Sequence, residues 1–126
     1  MACIDMNRVI DETPVYVKQW SATKSLENLS KALSTFGASL APFVEGDFQM
    51  GDIIALLNNS SPDTIPLVKT FIAAGRVDGK EVLPETFDRH YSGELLFAFK
   101  VFSFVCEVQY KDFFEQGRSL QETSPE

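Results

Sequence analysis

Histidine, tryptophan and cysteine are almost missing from this chain of 126 residues, which holds one His, one Trp and two Cys. With a single imidazole there is little to build proton-transfer or metal chemistry from. His90 has Asp88 and Glu94 near it in sequence, but their spacing matches no established zinc pattern, and it reads as a partly exposed residue at a helix end. Cys3 and Cys106 form no redox doublet and no paired ligand spacing. Cys106 lies inside an apolar run, where a buried free thiol suits a reducing cytosol. A Gly-x-Ser-x-Gly elbow is missing, and the run from Gly75 to Lys80 has the wrong spacing for a phosphate-cradling loop. The carboxylates Glu81, Glu85, Asp88 and Glu94 cluster as solvated faces usually do. Basic residues are outnumbered, eleven against eighteen acidic, and are scattered; the net charge of −7 excludes the basic patch that nucleic acid requires. The first twenty residues lack the apolar run of a secretory signal. Lys100 and Glu107 interrupt the longest apolar stretch short of the ~20 residues of a bilayer crossing. These residues name no catalytic group, cofactor or metal, and the chain reads as a soluble intracellular protein that is not an enzyme.

What the chain has in quantity is apolar side chains: 44% of residues, with eleven phenylalanines. That composition excludes disorder, and the length suits one domain with a sizeable core. The organising stretch is 93–117, read as one helix. Lys100, Ser103, Glu107 and Lys111 fall in one polar stripe on a helical wheel, and nearly everything else from Leu95 to Phe114 is apolar, with Gln109 the main exception. An ordinary surface helix shows an apolar stripe of about 100° and upward; this one covers roughly two-thirds of the circumference, which implies burial on more than one side. Phe97, Phe99, Phe102 and Phe104 cannot all stay in water, since burying each is worth roughly 1.5–3 kcal/mol. The helix is therefore the central post of the fold or is shared with a partner chain. Phe99, Phe102, Tyr110, Phe113 and Phe114 are the candidates for partner binding or self-association, because interface centres favour aromatics.

Elsewhere the patterns are local. Residues 1–13 are mixed and polar. Pro14 to Trp20 alternates like a strand, with Val15 and Val17 on one face and a partner strand expected around Arg8 to Ile10. Ser21 offers an N-cap to a helix whose Leu26, Leu29, Leu33, Phe36 and Leu40 line one face, and which Pro42 stops near Ala41. A second helix runs to Asn58 with Met50, Ile53, Ile54 and Leu57 inward. A third places Ile65, Val68, Phe71 and Ile72 inward, with Gly75 as its left-handed C-terminal residue. Asp78-Gly79 marks a hairpin over 76–82, since both turn residues need positive φ. Pro84 opens a short helix through His90, and Gly93 breaks it from the long one. The expected fold is mainly α: four to five helices in a compact domain around a long apolar C-terminal helix, with a β-hairpin near 76–82 and a short N-terminal strand. Residues 1–117 form that single domain, and 118–126 read as a disordered polar tail.

Asp78-Gly79-Lys80, then Phe87-Asp88-x-His90-Tyr91-x-Gly93, then an apolar helix ending Glu107-Val108-x-Tyr110-x-Asp112-Phe113-Phe114, resemble the tail assembly chaperones of long-tailed bacteriophages. Gln19-Trp20-Ser21-Ala22-Thr23-Lys24 ahead of a leucine-rich helix is similar to their amino-terminal part. The motif residues Trp20, Gly79, Phe87, Asp88, Gly93 and Asp112 are structural rather than chemical. One departure stands out: Gln109-Tyr110 occupies the place where the family pattern has an Asn before the terminal aromatic pair. The resemblance implies a small acidic helical protein of the infected host's cytoplasm, without cofactor, that coats the tape-measure protein and keeps it soluble until tail-tube protein polymerises around it. It also implies self-association, absence from the mature virion, and a longer frameshifted form, extended beyond Gly117, that binds tail-tube protein. Two other readings compete: a head–tail or tail-completion protein retained in the virion, and a small acidic protein that regulates a host factor.

Overall fold

The computed structural model describes residues 5–58, 61–81 and 86–122. The long apolar run forms helix α6, Leu95–Glu122, and it is the central post. Six consecutive residues, Val101 to Cys106, are all buried, so more than a full turn of the helix faces protein on every side. The helix continues five residues past Gly117, where the sequence reading begins a disordered tail; 118–122 belong to the helix, and 123–126 lie outside the described residues.

A sheet covers one flank of the post. Strand β2, Thr13–Lys18, buries Val15 and Val17 and exposes its alternate residues more, the period-2 pattern of a strand with one covered face. It pairs antiparallel with β1, Asp5–Ile10, in a register running from Asp5↔Lys18 to Ile10↔Thr13. The connection is two residues, Asp11 and Glu12, at φ 49° and 67°. Both dihedrals are positive, as in the tight turns that match strand twist. Strand β1 thus begins at Asp5, three residues before the partner expected around Arg8 to Ile10. Strands β3, Gly75–Val77, and β4, Lys80–Glu81, form the hairpin predicted around Asp78 and Gly79, at φ 54° and 78°. This hairpin does not stand apart. Val15 pairs with Val77, the Asp78 amide donates to the Pro14 carbonyl at 2.8 Å, and the strands form one sheet in the order β1-β2-β3-β4.

Gly75 opens β3 rather than ending the preceding helix. A Cβ there would stand 3.1 Å from Val101 Cγ1 and 3.6 Å from Val15 Cγ1, so the missing side chain lets the sheet lie close on α6.

The remaining helices wrap the other flanks. Helix α1, Ala22–Phe36, starts where the Ser21 hydroxyl accepts from the Lys24 amide at 3.4 Å. It ends at Gly37, whose φ of 58° no helix continues through. A 3₁₀ turn, Gly37–Leu40, leads into α2, Ala41–Glu45. Pro42 therefore does not stop a long helix; it sits in the first turn of a short one, where a missing N–H leaves nothing unpaired. Helix α3, Met50–Leu57, opens with the Gln49 amide donating to Asp52 Oδ2 at 2.7 Å. Helices α4, Thr64–Ile72, and α5, Phe87–Tyr91, follow. The expected start of α5 at Pro84 lies outside the described residues.

Several inward faces differ from the periodicity. On α1, Asn28, Leu29, Ala32 and Phe36 are buried, while Leu26 and Leu33 are exposed. The fully buried Ala32 is small enough to bring α1 close to its neighbours, which turns the leucine edge outward. On α3, Ile53 and Leu56 face the core, and Met50, Ile54 and Leu57 face out. That helix is apolar almost all round, so its pattern contains no unique inner side. On α4, Leu67 joins Val68, Phe71 and Ile72 inside, and Ile65 lies outside.

Phe102 sits at the centre of the core, with ring centroids of Phe43, Phe71, Phe99 and Phe36 at 5.3, 5.5, 6.0 and 6.2 Å. Three of the four residues of the predicted polar stripe of α6, all but Lys111, meet polar partners on neighbouring elements. Lys100 donates to Asp11 at 2.8 Å. The buried Ser103 hydroxyl donates to the Phe43 carbonyl at 2.8 Å. Glu107 accepts a two-pronged bond from Arg8 at 2.9 and 3.1 Å, with the Arg8 guanidinium also 4.4 Å from the Phe104 ring centroid. Gly46, at φ 77°, passes so close to Glu107 that a Cβ there would stand 2.6 Å from its carboxylate.

Candidate interaction surface

The five aromatic candidates separate into two groups. Phe99, Phe102 and Tyr110 lie in the core of the single chain: Phe102 has no exposure, and the Tyr110 hydroxyl donates to the Ser25 carbonyl at 2.9 Å. Phe113 is 54% exposed, and Phe114 is half-buried beside it, with the rings 5.4 Å apart edge to face. A single chain thus buries the rings at 99, 102 and 104 and half-covers Phe97, which the composition alone left to a possible partner.

The motif residues are mostly scaffold. Trp20 stands edge-on to Phe71 at 5.2 Å, and Gly79 and Gly93 take positive φ in turns. Phe87 packs against Tyr91 at 5.1 Å and under the Lys69 ammonium at 5.0 Å. Asp88 lies in the first turn of α5 and Asp112 on the outer side of α6, both exposed. Gln109 has a role that its polarity in a greasy run did not disclose. Its side chain accepts from the Trp20 amide at 2.8 Å and donates to the Lys18 carbonyl at 3.1 Å, satisfying the backbone where β2 leaves the sheet. Gln19 adds a bond to the Val108 carbonyl at 3.2 Å.

What the fold leaves in solvent is a groove between α1 and the end of α6. Leu26 and Leu33, 62% and 47% exposed, line its α1 side. One depression, of about 270 Å³, is lined by Ala22, Leu26, Leu29, Tyr110 and Phe113 among others. The second, of about 390 Å³, is lined by Leu33, Ala38, Leu40, Val44, Glu45 and Phe114 among others. A smaller apolar ridge, Met50, Ile54 and Leu57, marks the outside of α3. The exposed leucines were legible as a stripe, but their outward turn was not, because helical spacing records that residues share a side without saying which side meets the core.

Reactive chemistry is sparse around these surfaces. Among the described residues, no three or more His, Cys, Asp or Glu side chains are placed to hold a metal ion. Burial, then the neighbouring Glu107, hold the Cys106 thiol well above its usual range, so it stays protonated. His90 lies half-exposed near the end of α5, its ring 6.3 Å from that of Tyr91. No helix among the described residues is long and apolar enough to cross a membrane.

An apolar groove on the outside of a filled core is the kind of surface on which protein partners dock. Residues 11–121 match the family described as phage tail assembly chaperone protein, TAC, and the chain belongs to that family. No curated protein and no solved structure matches it.

Proposed function

We propose that this tail assembly chaperone binds the tape-measure protein and keeps it soluble until tail-tube protein polymerises around it, acting without catalysis. The observation that carries the reading is the pair of apolar depressions lined by Leu26, Leu33, Phe113 and Phe114 on a molecule of net charge −7. Apolar groove walls attract any apolar helical face without directional demands. The net charge of −7 keeps a loaded complex dispersed. The client leaves when tube subunits offer it more complementary burial. The protein works in the host cytoplasm and is absent from the finished particle.

Co-expression with fragments of the tape-measure product tests this. A fragment that is insoluble alone becomes soluble and co-purifies with the chaperone. Equal precipitation with and without the chaperone overturns the reading, and recovery of the protein from purified virions favours a retained structural component.

A further inference from the structure

We propose that the outer edge of β1 docks β1 of a second copy of this chain, the two strands pairing antiparallel about a two-fold axis at Asn7. The sheet order β1-β2-β3-β4 leaves one side of β1 without a strand neighbour among the described residues. Which backbone groups lie on that side follows from β2. Pro14 turns its carbonyl away from β1, since that oxygen accepts from the Asp78 amide at 2.8 Å. Successive residues of a strand turn their backbone groups to alternate sides, so Thr13, Val15 and Val17 turn theirs towards β1. Their partners Ile10, Arg8 and Met6 are spent on that ladder. Asp5, Asn7 and Val9 therefore present their N–H and C=O groups outward, in a row.

Such a row takes an extended chain, because a helix ties up its own N–H and C=O groups internally. Free edges are commonly blunted by proline, lysine, a bulge or extreme shortness. Strand β4, with two residues, is short in this way. Strand β1 shows none of the four: it contains neither proline nor lysine, and its register to β2 runs unbroken over six residues. Arg8, the one charge among residues 6–10, is already neutralised by its two-pronged bond from Glu107. Met6 and Val9 stand 42% and 68% exposed along the strand.

The strand is also complementary to itself. An axis at Asn7 sets Asn7 opposite Asn7, Asp5 opposite Val9 and Met6 opposite Arg8, so every outward residue of each copy both donates and accepts. Sliding the copies by two residues leaves one outward residue of each strand without a partner in β1, and in one direction it sets Arg8 against Arg8. No carboxylate lies among residues 6–10, so the net charge of −7 is not concentrated at the seam. A two-fold contact of this kind spends the long edge of each copy and closes as a dimer.

Sedimentation of the full chain from about 1 to about 200 µM supplies the test. The wild type passes from one chain to two across that range. Asn7→Pro deletes an outward N–H and no bond to β2, so it keeps its melting temperature and pairs at least about tenfold more weakly. Asn7→Lys gives the same loss without altering the backbone, by setting two ammonium groups face to face at the axis. Amide hydrogen exchange, read residue by residue, locates the contact. In concentrated protein the Asn7 and Val9 amides slow at least about tenfold relative to dilute protein, while those of Arg8 and Ile10, already bonded to β2, do not change. A single chain throughout the range overturns the proposal. So does a pair that survives both variants, or one that slows no amide of β1, which places the contact on another face such as the ridge of Met50, Ile54 and Leu57. The edge shares no residue with the depressions beside α1, so its failure leaves the client-binding reading standing.

Discussion

One helix, two environments: from Val101 to Tyr110 only Glu107 of α6 escapes full burial, while from Lys111 to Gly117 none of its residues is fully buried. Both stretches carry aromatics at similar density, but the second sets its two among Lys111, Asp112 and Glu115, where the first has the single charge of Glu107. The neighbourhood differs as well. Helix α6 packs on the sheet and against α2 and α4, while its second stretch shares two open depressions with the leucine edge of α1 and the residues leading into α2. The same side chains that stabilise the fold at one end are therefore available for binding at the other.

The sharpest way to break this comparison is a charge in the first stretch. Phe102→Asp places a carboxylate among four rings without a partner, a penalty comparable with the ~5–15 kcal/mol stability of a whole domain. Thermal unfolding followed by circular dichroism loses its cooperative transition. A folded variant of unchanged mass in solution shows that Phe102 is not the centre of the core.

Alkali tests the buried phenols of the core next. Burial pushes the Tyr91 phenol up to about 12 from 10.0 and raises Tyr110 further. A raised folded-state value means that the neutral form is favoured in the fold, so stability is intact below about pH 10 and falls as pH rises through about 12. Urea midpoints measured from pH 9 to 12 decline, and Tyr91→Phe, whose hydroxyl has no hydrogen-bond partner among the described residues, declines less.

A smaller loss follows from Gln109→Leu, which keeps the bulk but strands the Trp20 amide and the Lys18 carbonyl; about 2–4 kcal/mol is expected from two orphaned backbone groups. Denaturant titration reads it directly. At the far end, Phe113→Ser moves stability by no more than about 0.5 kcal/mol, because the ring is half in water already. The same variant lowers recovery of soluble tape-measure fragment. Stability lost in step with recovery shows that Phe113 is core after all.

Much of the fold was legible because its signals are local. Val15 and Val17 alternate within one strand, Ser21 caps the amides beside it, and Asp78-Gly79 supplies its own turn. The Asp11-Glu12 turn escaped notice because neither residue is glycine, although both take positive φ. The join of β2 to β3 escaped because Val15 and Val77 meet only through tertiary packing. Gly75 looked like a helix cap, and its reason for being glycine is a contact with Val101 far along the chain. The groove was half legible: Phe113 and Phe114 stood out as aromatics near a helix end, but the outward turn of Leu26 and Leu33 depends on Ala32 taking the inner side.

The pairing of Val15 with Val77, and the pinning of Arg8 by Glu107, join segments that leave the ribosome far apart in time. At about 5–20 residues per second, the first hairpin waits roughly 5–20 s for the residues of α6 that hold it down. Until then the growing polypeptide has its strands but not the post they pack on, so a product stopped before α6 leaves Val15, Val17 and Val77 without the helix that buries them.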